Sequence, residues 1–116
     1  MSARGVLRVI EGGRLGFWCP GCSEMHVVRI TTGHDDWGFN GSYDRPTFTP
    51  SVLVTWIHPK GYSNDNPAPP GFPEQTERPD LYTEARCHSF VRDGQVQFLN
   101  DCTHSLAGKT VPLEAF

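Results

Sequence analysis

Long hydrophobic runs are missing from this 116-residue chain. No apolar stretch approaches the roughly 18 residues a membrane-spanning helix needs. The opening MSARGVLRVIEGG has neither the apolar core nor the cleavage site of a secretory signal, so a cytoplasmic protein without a membrane role is expected. Excess positive charge is missing as well. Ten Lys and Arg stand against 13 Asp and Glu for a net charge of −3, which leaves no diffuse field to draw the chain onto phosphates and excludes general nucleic-acid binding. Material for long helices is scarce, because 12 glycines and 10 prolines interrupt the chain throughout. Internal repeats are absent.

What remains favours strands and turns. Val6 to Ile10 and Leu15 to Trp18 flank the turn-forming Glu11-Gly12-Gly13-Arg14, which predicts an opening hairpin, and His26 to Ile30 resumes a β-branched pattern. Pro46 and Pro50 exclude a helix between Asp44 and Pro50 and permit only an edge or irregular strand. Ser51 to Ile57 (SVLVTWI) is the best central strand. His58 to Asp80 then carries six of the ten prolines and reads as a long loop, either an insertion or a cover for a site or partner.

Asp93-Gly94, between Cys87–Arg92 and Gln95–Leu99, is the two-residue signal for a type I′ hairpin. It sets Arg92 opposite Gln95 and Ser89 opposite Phe98. Asp101 is placed to cap a short helical turn from Cys102 to Ala107, before a last strand from Thr110 to Leu113. The expected fold is a mainly β single domain over residues 1–116 with one short helical turn.

Folding at this size buries only about two-thirds of the surface of the unfolded chain, so a metal would help. In a reducing cytosol the four cysteines read as metal ligands in preference to disulfides. Cys19 and Cys22 have the Cys-x-x-Cys spacing of a zinc knuckle, with Pro20-Gly21 suited to its tight turn. The C-terminal hairpin brings Cys87 near Cys102 and His104, either of which completes a tetrahedron with Cys19 and Cys22; Cys102 is preferred. Side chains alternate along a strand, so His88 faces away from Cys87 and stands outside that set. The expectation is a zinc-stabilised domain with a zinc-ribbon-like knuckle.

The segments CHSFVRDGQVQFLNDCTHSLAGKTVPL, FWCPGC and RPTFTPSVLV together resemble a small family of phage and prophage proteins of unknown function, some labelled ammonia monooxygenase. The resemblance implies a phage-associated, metal-binding protein. Cysteine-rich ligation favours a closed zinc site over the histidine-rich or two-His-one-carboxylate site of a copper or iron oxygenase.

Three functions are open on the sequence. The first is a zinc-binding protein that binds a host or phage macromolecule, with a protein as partner, in host takeover or anti-defence. The second is a metal-dependent hydrolase with an open zinc site, with His88 and Asp101 as weak catalytic candidates beside it. A related variant makes Cys102 a nucleophile with His88 or His104 as base. The third is a virion or assembly component that docks through the proline-rich loop. No His-x-Glu precedes the cysteine pair, which excludes the nucleobase deaminases. No complete catalytic set is visible in the sequence, and the binding protein is therefore expected.

Overall fold

Period-two alternation of apolar and polar residues decides most of the strands, and the computed structural model, which describes residues 1–30 and 36–116, is mainly β. β1 (Ser2–Arg4), β2 (Leu7–Ile10), β3 (Arg14–Cys19) and β4 (Glu24–Arg29) form one antiparallel sheet in chain order. β5 (Gly38–Phe39), β6 (Phe48–Pro59), β7 (Tyr82–Arg92), β8 (Gln95–Phe98) and β9 (Thr110–Pro112) form a second, also antiparallel and in chain order. Among the described residues no helix is long and apolar enough to cross a membrane.

The two sheets share one core. Leu7, Leu15, Phe17, Cys19 and Val28 from the first meet Phe48, Val52, Cys87, Val91, Val96 and Phe98 from the second. Phe17 stacks on Phe48 with ring centroids 6.1 Å apart, which fixes the middle of the contact. Burying each such ring stabilises the fold by about 1.5–3 kcal/mol. On β7 the inward row is Ala85, Cys87, Ser89 and Val91, and the outward row contains Glu84, Arg86 and His88.

The hairpin around Asp93-Gly94 has the expected register, with Arg92 opposite Gln95 and Ser89 opposite Phe98. Both loop residues take positive φ, 49° at Asp93 and 76° at Gly94, as a type I′ turn requires. β6 is irregular at its start. Phe48 pairs with Val91 and Val52 with Ser89, so β6 spends four residues where β7 spends two, and Thr49 to Ser51 lie within that bulge.

The helical element among the described residues is a 3₁₀ turn at Pro79–Leu81. Cys102 to Ala107 forms a run of tight turns in place of the expected helical turn. The reason is competition from β7. The Thr103 amide donates to the Arg86 carbonyl, and the Asp101 carboxylate bonds the His88 ring where a cap would have bonded its own backbone.

The proline-rich segment folds back over the Cys19–Cys22 turn. Asn64 Nδ2 donates to the Cys22 carbonyl at 3.1 Å, Ser23 Oγ donates to Asp65 at 2.9 Å, and the rings of Tyr62, Phe72 and Tyr82 pack edge to face.

Candidate functional site

Two clusters of chemically able side chains lie on opposite faces of β7. On the inner face, β3 ends in Cys19, the turn supplies Cys22, β4 contributes His26 and β7 contributes Cys87; all four are buried. His26 sits there because it pairs with Phe17, which is two residues before Cys19 and shares its face. The turn closes through the Ser23 amide donating to the Cys19 carbonyl at 2.8 Å.

These four donors lie within 4.8 Å of one another and can hold a metal ion. A tetrahedral ion with metal–sulfur bonds of about 2.3 Å sets sulfur–sulfur edges of about 3.8 Å. Cys19 Sγ and Cys87 Sγ are 3.8 Å apart, too far for a disulfide and right for that edge. His26 Nε2 is buried without a hydrogen-bond partner, an orphan that coordination satisfies. The thiols argue the same way. The Cys19 thiol is held far below its ordinary range, first by the hydrogen bond from Cys22 and then by that from Cys87. Cys22 and Cys87 are pushed up, chiefly because their hydrogen bonds serve the Cys19 thiolate. A cation among the three crowded sulfurs would favour the thiolate form of each.

Of the residues singled out in the sequence, Cys19, Cys22 and Cys87 come together, with His26 as the fourth member. Cys102 and His104 form a second group with Cys87, also within 4.8 Å. The Cys102 thiol accepts from the His88 amide and donates to the His88 carbonyl, both at 3.2 Å. His104 Nδ1 accepts from the Leu106 amide, its Nε2 is buried without a partner, and burial pushes its pKa down.

On the outer face a different arrangement stands. Ser51 Oγ is 2.9 Å from His88 Nε2, and His88 Nδ1 is 3.2 Å from Asp101 Oδ2. The fold explains each position. Leu53 pairs with His88, and Ser51, two residues earlier on the same face, reaches His88 diagonally from the bulge. Trp37 Nε1 donates to the Ser51 carbonyl at 3.3 Å. Asp101 arrives because the Leu99 amide donates to the His88 carbonyl and the Thr103 amide to that of Arg86, which lays residues 99–103 alongside β7. The His88 side chain is 26% exposed and that of Asp101 41%, so the trio is reachable from solvent.

A hydroxyl, an imidazole and a carboxylate linked in this order form the relay of a nucleophilic hydrolase, recognised by geometry and not by chain order. His88 and Asp101 were visible in the sequence as weak candidates; Ser51 was not. No spacing rule marks a serine in a strand, and the one available signal was its place on the His88 face of the neighbouring strand.

No curated protein and no solved structure matches the chain. The family model described as bacterial ubiquitination-like system serine protease (BubE) matches residues 1–99, and the chain belongs to that family. The matched span contains Ser51, His88 and the four buried donors; Asp101 lies two residues beyond it.

Proposed function

We propose that this member of the BubE family is a serine protease of a bacterial ubiquitination-like system, with Ser51 as nucleophile, His88 as general base and acid, and Asp101 as the group that orients His88. The observation that carries the reading is the unbroken hydrogen-bonded line from Ser51 Oγ through the His88 ring to Asp101.

Each step follows from an atom on that line. His88 Nε2 takes the Ser51 proton as Oγ attacks the carbonyl carbon of the scissile bond. Asp101, bonded at Nδ1, keeps the imidazole in the tautomer whose Nε2 is free to accept and stabilises the imidazolium that forms. The same Nε2 then delivers its proton to the leaving amine, and the substrate's acyl group stays on Oγ as an ester. A water molecule, deprotonated by His88, hydrolyses that ester and regenerates Ser51.

The ion held by Cys19, Cys22, His26 and Cys87 is zinc in this reading, because three thiolates and an imidazole in a closed tetrahedral set suit a structural zinc ion. When bound it supplies rigidity by tying β3, β4 and β7 together behind His88. The non-catalytic binding protein accounts for the metal donors but leaves the alignment of Ser51, His88 and Asp101 without a purpose.

The test is active-site labelling. An alkyl fluorophosphonate should modify wild-type protein at Ser51, located by peptide mass spectrometry, and Ser51→Ala should not react. Modification at random hydroxyls, or none, defeats the protease assignment.

A further inference from the structure

The hydrogen bonds around β7 determine what the far edge of β6 offers. His88 directs its N–H and C=O toward Cys102 and Leu99, and Arg86 directs its own toward Thr103, so neither reaches across to β6. In an antiparallel ladder their cross-strand partners, Leu53 and Thr55, are then non-hydrogen-bonded pairs whose own N–H and C=O point away from β7. Alternation extends this to Ile57.

Beyond that edge the one strand among the described residues is β5, which pairs with Phe48 and Thr49 and stops. Among the described residues, the backbone groups of Leu53, Thr55 and Ile57 therefore face outward with no strand to meet them. The row starts two residues from Ser51, just past the point where Trp37 closes the Ser51 carbonyl. At about 3.4 Å per residue, Leu53 to Ile57 offers roughly 14 Å of open ladder. Its side chains, on the face of His88, are apolar at both ends, with Leu53 53% and Ile57 44% exposed.

An open edge of this kind takes another chain in extended form, because main-chain bonds supply affinity and alternate side-chain positions supply selectivity. The occupant is fixed by where the edge leads. Resting on the protease reading above, we infer that the Leu53–Ile57 edge of β6 is the substrate-binding site: it docks an extended polypeptide segment as an added strand, with apolar side chains at alternate positions, and so presents the neighbouring peptide bond to Ser51. Pairing along a rigid strand also accounts for how a half-exposed triad selects a backbone carbonyl: orientation comes from the ladder and not from a deep pocket.

The experiment compares inactivation rates of wild-type protein by an alkyl fluorophosphonate and by a ladder of peptidyl diphenyl phosphonates, one to five residues long, with valine or leucine at alternate positions. The ratio of peptidyl to alkyl rate should rise with length, by about tenfold for each pair of added bonds to the edge. N-methylation should cancel the gain at every second amide and spare the amides between them. Thr55→Pro, which removes one edge donor from an edge where proline is tolerated, should lower the same ratio, and its metal content reports whether it has folded. A ratio flat with length, or a methylation response without period two, overturns strand docking while leaving Ser51 reactive. Failure of the alkyl probe to label Ser51 at all overturns the protease reading and the docking site with it.

Discussion

Cys87 and His88 are adjacent in the chain and face opposite sides of one sheet, Cys87 into the buried donor cluster and His88 toward Ser51 and Asp101. A single peptide unit thus joins the two clusters.

The triad variants should separate cleanly from fold defects. Ser51→Ala, His88→Ala and Asp101→Asn should each lower kcat on a cleavable peptide by on the order of 10³- to 10⁴-fold. The triple variant should be no worse than Ser51→Ala, because the three act as a unit. Thermal melting should move little, since Ser51 and His88 are half-buried and Asp101 is exposed.

Metal content tests the ligand set. Elemental analysis should find about one zinc per chain in wild type, and a strong chelator should unfold or strongly destabilise it, because structural zinc contributes apparent free energies of order 10 kcal/mol. Cys19→Ser and His26→Ala should lose the metal. His104→Ala should retain it, which distinguishes the imidazole on β4 from the one sequence spacing suggested.

Cys102 holds His88 by its backbone, with its thiol hydrogen-bonded to both the amide and the carbonyl of that residue. Cys102→Ala should keep one metal per chain and the same KM, yet lose about ten- to hundredfold in kcat, the scale of effect expected when a catalytic group drifts by about an ångström. Steady-state kinetics beside metal analysis reads all three.

Gly21 lies between the knuckle cysteines, and a methyl group there would overlap the His104 ring. Gly21→Ala should therefore destabilise by about 1–3 kcal/mol, the usual result of overpacking. Chemical denaturation of the metal-loaded protein checks it, and the companion His104→Ala should recover part of the loss by making room.

Much of the frame was legible because it follows from local rules. Asp93-Gly94 dictated the hairpin and its register, and period-two alternation placed Cys87 and His88 on opposite faces. What stayed hidden depends on pairing between distant strands. His26 shares a face with Cys19 only through the β3–β4 register, and Ser51 meets His88 only through the β6–β7 register, 37 residues apart in sequence. Neither carries a motif. The short β1 was missed because Ser2-Ala3-Arg4 is fully exposed and shows no alternation.

The bulge in β6 has an even excess, two residues, and evenness matters. Side-chain direction alternates, so an odd insertion would have turned either Phe48 or Val52 outward and emptied part of the core, whereas an even one is invisible to it. Thr49 and Pro50 are both exposed, and Thr49 pairs with Gly38 of β5. The core therefore exerts no restoring force on those two positions. They are held from the β5 side instead, and a shortened chain lacking both would keep Phe48 and Val52 facing the core while it lost the Gly38–Thr49 pair and set Ser51 opposite Phe90.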